Sequence, residues 1–120
     1  MATHNNLGAA GESLAVNYLE KNGYTILARN FRFQKAEIDI IAAVSDTLWV
    51  IVEVKTRQSN YFGDPHTFLR RSQIKNLVHA ADAFAKKKDF KGEFRFDIIA
   101  VLKNKQETAI THYENAFYHF

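Results

Sequence analysis

Apolar positions recur every three to four residues from about residue 6 to residue 22, where Leu7, Ala10, Leu14, Ala15, Tyr18 and Leu19 form one stripe. That period predicts a helix, and Asn22-Gly23 supplies its stop signal. Tyr24 to Phe33, Glu37 to Val44 and Leu48 to Lys55 are then rich in Ile, Val and aromatic residues and predict three strands. The connections Gln34-Lys35-Ala36 and Ser45-Asp46-Thr47 have hairpin length. Arg57 to Pro65 reads as a loop, marked by Ser59-Asn60, Gly63 and Pro65. Helical spacing returns with Ile74, Leu77, Val78, Ala81, Phe84 and Ala85, with Lys75, His79 and Lys86 on the far side. A fourth strand is predicted over Phe94 to Leu102 and a short fifth over Thr108 to His112. The order α-β-β-β-α-β-β predicts one α/β domain over residues 1–120. Its sheet is expected to be mixed, because a crossover through a helix from Lys55 to Phe94 favours a parallel fourth strand.

Where the apolar runs end, the polar residues change character. Strand alternation places Glu37 and Asp39 on one face with Ile38 and Ile40 on the other, and Glu53 and Lys55 on one face with Val52 and Val54 opposite. Neighbouring strands lie ~4.8 Å apart, so a level register brings Asp39 beside Glu53. Two carboxylates at that spacing repel each other and suit a hard divalent cation, Mg²⁺ or Mn²⁺. Waters, a substrate phosphate and a backbone carbonyl such as that of Val54 would complete the shell. Lys55 is placed to orient an attacking water or to stabilise charge on the phosphate, and together these groups describe phosphodiester hydrolysis. Glu12 flanks the stripe of the first helix; it could hold a second cation, or the first cation's water, if that helix packs across the strand ends. The competing reading is a surface charge pair worth only ~0–1 kcal/mol. Against it stands the run Leu48 to Val52, apolar at both parities, which implies a strand buried on both faces and ending in charges that need compensation.

Composition narrows the field. A hydrophobic content of 47% suits a folded chain, and the absence of cysteine excludes disulfides and thiolate metal sites. The first residues lack a charged-then-apolar signal pattern, and no apolar stretch approaches the ~20 residues that span a bilayer. A soluble, cytoplasmic protein with no membrane partner is expected. Net charge is only +3, but residues 55–91 hold nine Lys/Arg against three acids, leaving −3 for the rest. Such a segment attracts a polyanion. Arg57 is a candidate phosphate contact, and Arg70, Arg71 and Lys75 are candidates for tracking a nucleic-acid backbone, with a solvated helix face as the alternative. Tyr61-Phe62-Gly63 offers rings for stacking on bases, or for packing against the domain. The five histidines show no zinc-ligand spacing, and Asp97 is expected to pair with a neighbouring arginine.

Gly11-Glu12, Arg29-Asn30-Phe31-Arg32, Glu37-Ile38-Asp39-Ile40-Ile41-Ala42 and Val52-Glu53-Val54-Lys55-Thr56-Arg57 together resemble the YraN-like family of bacterial proteins. Phe62-Gly63-Asp64-Pro65, Arg95-Phe96-Asp97 and His112-Tyr113-Glu114-Asn115-Ala116-Phe117 continue the resemblance in order along nearly the whole chain. The family looks like a minimal member of the PD-(D/E)xK nuclease superfamily, related to archaeal Holliday-junction resolvases. The resemblance implies a three-layer, restriction-endonuclease-like αβββαβ core, with a mixed β-sheet flanked by helices. It also implies Asp39 and Glu53 as metal ligands, Lys55 as the catalytic lysine and Glu12 as the helix-borne acid. Three positions depart from the pattern: Ile38 stands where the superfamily name has proline, Ala36 replaces a glycine, and Gln73 replaces a lysine. The expected function is a divalent-metal-dependent endonuclease on DNA, branched DNA included. The alternatives are a nucleic-acid-binding module that keeps the architecture without cutting, and a protein-interaction domain using exposed aromatics. Resolvase relatives act as dimers because a four-way junction has two equivalent strands to cut. A homodimer is therefore open here, although no stretch marks an interface.

Overall fold

The computed structural model describes residues 4–59 and 67–117, with side chains from residue 7 onward. Helix α1 spans His4–Lys21, followed by β1 (Thr25–Phe33), β2 (Ala36–Ala43) and β3 (Leu48–Arg57). Helix α2 (Arg71–Lys88), β4 (Glu93–Lys103) and β5 (Thr108–Tyr113) complete the order. α1 ends because Gly23, at φ 89°, takes the left-handed conformation that lets the Tyr24 N–H turn back to the Leu19 carbonyl at 3.0 Å. α2 begins where the Gln73 side chain accepts the Arg70 N–H at 2.9 Å, so the residue in the lysine position secures the helix start. Its last turn carries Lys86, Lys87 and Lys88, which complement the helix dipole.

The sheet runs β1-β2-β3-β4-β5. Its pairs are antiparallel except β3 with β4, which are parallel from Leu48 beside Glu93 to Arg57 beside Leu102. The mixed sheet is therefore the expected one, and the crossover through α2 is its cause. Each face is covered by one helix. Ala15, Val16 and Leu19 of α1 pack on Ile40, Ala42, Val50, Val52, Ile99 and Val101. Leu77, Ala80, Ala81 and Phe84 of α2 pack on Ile38, Ile41, Ile51, Phe96 and Ile98. This is a three-layer α/β architecture of the restriction-endonuclease-like kind. Val50, Ile51 and Val52 are all fully buried, as a strand apolar at both parities requires.

Boundaries differ from the sequence reading by one to a few residues. Ala36 is the first residue of β2, paired with Phe33, and Gln34 takes the positive φ of 55° in a two-residue turn. Ala36 therefore sits in regular strand pairing, and the left-handed position of the turn falls on Gln34, so the alanine needs no glycine-like conformation. β3 runs on to Arg57, because its parallel pairing with β4 continues that far. Tyr61-Phe62-Gly63 and Pro65 lie outside the described residues. Among the described residues no helix is long and apolar enough to cross a membrane.

One expectation is overturned. Ile38 and Ile40 do not share a face: Ile38 packs on the α2 side and Ile40 on the α1 side. The reason lies in the β1–β2 pairing, which goes from Arg29 with Ile40 to Phe31 with Ile38, stepping over Asn30 and Asp39. Asn30 has φ 51°, a left-handed conformation that asparagine tolerates better than most residues. The pleat resets at that rung, and the side chains on either side of it exchange faces.

Candidate functional site

The site forms where α1 approaches the end of β3. Gly11 makes the approach close, since a Cβ there would collide with the Thr56 side chain. Glu12 then faces β1. One of its carboxylate oxygens, Oε1, accepts Arg29 Nε–H at 3.3 Å and Nη2–H at 3.1 Å, and the other, Oε2, accepts Asn30 Nδ2–H at 2.9 Å. The pair is uneven in exposure, 43% for the Arg29 side chain and 14% for that of Glu12.

Across from it, β2 and β3 pair through Ile40 and Val52. At the next rung the Asp39 carboxylate, not its backbone, accepts the Val54 N–H at 2.8 Å. Asp39 is thereby pinned beside Glu53-Val54-Lys55. Val50, Val52 and Val54 pack on the α1 side and Ile51 on the α2 side, so alternation sets Glu53 and Lys55 together on one face, as expected. Glu53 Oε1 is buried and has no hydrogen-bond partner. Among the described residues Lys55 forms no salt bridge or side-chain hydrogen bond.

An open cleft of about 690 Å³ joins these groups; Glu12, Arg29, Asn30, Glu37, Asp39, Lys55, Thr56 and Arg57 line it. Of the expected site residues, Glu12, Asp39, Lys55 and Arg57 are in its wall, while Glu53 is not a wall residue and precedes Val54, which is. Arg57 is exposed and donates to the Thr56 carbonyl at 2.9 Å. Arg70, Arg71 and Lys75 are exposed at the N-terminal end of α2 and do not line the cleft. The basic segment is not one patch, because Lys86, Lys87 and Lys88 sit at the other end of an 18-residue helix, about 27 Å long.

Electrostatics single out the two half-buried carboxylates, Asp39 and Glu53. Burial pushes Glu53 up to about 8; the neighbouring Asp39 adds to this, and Lys55 only partly offsets it. Burial also pushes Asp39 up to about 6, against the Val54 N–H and Lys55, with Glu12 and Glu37 adding repulsion. Near neutral pH the pair therefore retains a proton. All its donors are hard oxygens, the chemistry that Mg²⁺ and Mn²⁺ prefer, and an orphaned buried oxygen is the atom such an ion would satisfy. Among the described residues no group of three or more His, Cys, Asp or Glu side chains could hold a metal ion, so the two carboxylates would need waters and backbone carbonyls to complete a shell.

Two features escaped the sequence reading. Arg29 and Asn30 were visible only as part of a motif; their adjacency to Glu12 depends on how α1 crosses β1. The second is a buried network on the α1 side. Asp97, fully buried, receives Arg95 Nε–H at 2.9 Å and Nη2–H at 2.8 Å, and the Asn115 N–H at 3.0 Å. His112 Nε2 lies 2.7 Å from Asp97, and His112 Nδ1 is 3.1 Å from the Tyr18 hydroxyl. The expected arginine partner of Asp97 is Arg95, which also donates to the Tyr24 hydroxyl at 2.7 Å. Burial alone would raise Asp97, but the bonds from His112, Arg95 and Asn115 outweigh it and hold the carboxyl below its ordinary value. This network ties the C-terminal strand to α1, the helix that carries Glu12.

The profile of uncharacterised protein family UPF0102 matches residues 11–101, a span that includes every residue of the cleft wall from Glu12 to Arg57. The chain is similar to a UPF0102 protein of Flavobacterium psychrophilum, 53% identical over 120 residues and covering 100% of both chains. A UPF0102 protein of Christiangramia forsetii is 48% identical, again over 100% of both. One of Bacteroides thetaiotaomicron is 47% identical over 118 residues, covering 98% of this chain and 97% of its own.

Proposed function

The chain belongs to the uncharacterised protein family UPF0102, and we propose that it is a divalent-metal-dependent endonuclease that hydrolyses phosphodiester bonds in DNA, branched DNA included. The observation that carries this reading is Glu53 Oε1, a buried carboxylate oxygen without a hydrogen-bond partner, beside the half-buried Asp39 carboxylate and a lysine that forms no salt bridge among the described residues. Burial of that kind costs a few kcal/mol unless a ligand compensates it. Asp39 and Glu53 would hold Mg²⁺ or Mn²⁺, which when bound supplies Lewis-acid polarisation of the phosphate and acidifies a water. Lys55, which forms no salt bridge among the described residues, positions that water or offsets the charge that builds on the phosphoryl oxygens as the water oxygen attacks and one P–O ester bond breaks. Asp39 is held still by the Val54 N–H, so the donor geometry is fixed before substrate arrives. Arg57, on the cleft wall, supplies charge for the flanking phosphates.

A second reading, a module that grips nucleic acid without cutting, is favoured by one observation: Glu12, the third acid of the cleft, has both oxygens occupied by Arg29 and Asn30. Incubation with four-way-junction, duplex and single-stranded DNA in Mn²⁺ separates the two. The nuclease reading expects nicked product that disappears in Asp39→Ala and Lys55→Ala while both variants stay folded. Intact binding with no cleavage of any DNA or RNA substrate would establish the module instead.

A further inference from the structure

Glu12, Arg29 and Asn30 form a unit whose geometry is not that of a metal ligand waiting for its ion. Glu12 Oε1 takes two N–H groups of Arg29, and Oε2 takes one from Asn30. A guanidinium has five N–H donors, so three of those on Arg29 remain for another partner. The Arg29 side chain is 43% exposed and lines the cleft wall with Asp39 and Lys55. Asn30 is reached only because its φ of 51° breaks the pleat of β1, which lets consecutive residues, Arg29 and Asn30, both address the same carboxylate. On a regular strand their side chains would point to opposite faces. A strained backbone position whose one side-chain bond secures a neighbour's orientation is a positioning device.

We propose that Arg29 is a substrate-phosphate contact of this cleft, and that Glu12 and Asn30 are positioning residues that hold its guanidinium across from Asp39 and Lys55. The assignment deepens the nucleic-acid reading above and rests on it. Arginine is suited to the task because its planar fork meets two phosphate oxygens at once, and a fork fixed along one edge loses little entropy on binding. The partner class is a phosphodiester, and the arginine's place on the cleft wall beside Asp39 and Lys55 would give it a phosphate at or next to the one that reacts.

The test is fluorescence anisotropy with a labelled four-way DNA junction in EDTA, titrated with KCl, alongside calorimetric Mn²⁺ binding without DNA. Arg29→Ala is expected to weaken junction binding about tenfold and to lower the salt slope by about 0.9, the signature of one lost phosphate contact. Arg29→Lys, which keeps the charge without the fork, should recover the slope but not the full affinity. In a Glu12→Leu background, which has no acceptor for the guanidinium, Arg29→Ala should cost less than about threefold, because the arginine is no longer positioned there. Glu12→Leu should leave Mn²⁺ affinity within about twofold of wild type, whereas Asp39→Ala should lose it. Wild-type affinity and slope in Arg29→Ala would overturn the contact. An undiminished tenfold effect in the Glu12→Leu background, or loss of Mn²⁺ binding in Glu12→Leu, would overturn the positioning role. Failure of the wild-type protein to bind any DNA at low salt would instead remove the underlying reading.

Discussion

Replacing Glu53 by glutamine should make the metal-free protein more stable at high pH, and the structure gives the size of the effect. In the unfolded chain this carboxyl ionises near 4.5, whereas in the native protein it is pushed to about 8, first by burial and then by Asp39. Between those values the native state holds a proton that the unfolded state has lost, so stability falls as pH rises through the window. Above pH 8 the penalty is complete, on the order of 4 kcal/mol. Asp39, raised from 3.8 to about 6, acts in the same direction over a lower and narrower window. An amide keeps the shape and removes the charge but leaves its own polar atoms to be satisfied, which returns roughly 1–3 kcal/mol. The net expectation at pH 9 is about 1–3 kcal/mol in favour of Glu53→Gln; by pH 5, close to the unfolded carboxyl's own value, the ionisation penalty is nearly gone and the amide's cost leaves the variant about 0–2 kcal/mol less stable than wild type. Urea unfolding in EDTA at pH 5, 7 and 9 reads this directly. Adding Mn²⁺ at about 100 times its Kd should then stabilise the wild type by about 2.7 kcal/mol and the variant by little. A variant less stable than wild type at pH 9, or a stability difference that does not change with pH, would show that Glu53 is adequately partnered. The cation would then lose its principal support.

Lys55→Met should lower the rate of junction cleavage in Mn²⁺ by about a hundredfold or more while leaving Mn²⁺ affinity close to wild type, measured by single-turnover kinetics and calorimetry. Gly11→Ala, whose Cβ meets the Thr56 side chain, should cost about 1–3 kcal/mol in urea unfolding and lower cleavage further by shifting α1 away from β3. Asp97→Ala leaves Arg95 and His112 facing a buried gap and should cost about 3–5 kcal/mol, visible as a fall in Tm. Because Asp97 is held below its ordinary value, its contribution is present above about pH 4 and is lost as pH falls through the lower native value. Loss of wild-type stability below pH 4 that Asp97→Asn does not share is the expected result of acid titration.

Much of the fold was readable from local pattern. Both helices and all five strands follow from apolar spacing, and the parallel β3–β4 pair follows from the length of the crossover. The central acids were readable too, because Glu53 and Lys55 terminate a run buried on both faces. Two kinds of information were not readable. The face exchange at Asp39 depends on Asn30, a residue on another strand whose left-handed φ leaves no mark in the period of β2. The Glu12–Arg29–Asn30 cluster and the His112–Asp97–Tyr18 network join segments far apart in sequence, so no spacing rule reports them. A scattered histidine carries no signal until topology places β5 beside β4. A charge tally over residues 55–91 carries no spatial information: Arg57 lines the cleft, while Lys86, Lys87 and Lys88 lie in the last turn of α2.

The break in the pleat is what makes the sheet's end chemically useful. On an unbroken β2, alternation would keep Asp39 on one face with its backbone engaged in the ladder, and its carboxylate would point away from the β3 backbone. With the reset at Asn30 and Asp39, the side chain takes over a rung of hydrogen bonding from the main chain and bonds the Val54 N–H. That substitution ends ladder pairing of β2 with β3 at Ile40 and Val52; beyond it β2 meets β3 through Asp39, whose side chain bonds Val54 and whose backbone bonds the Glu53 carboxylate, while β4 still holds the strand. One strand thus remains rigid through its pairing on one side and presents Glu53, Val54 and Lys55 on the other. The same reset turns Asn30 toward Glu12, so the two walls of the cleft are set by a single backbone irregularity. Restoring regular geometry there would straighten both walls together, and the acids, the lysine and the arginine would no longer converge.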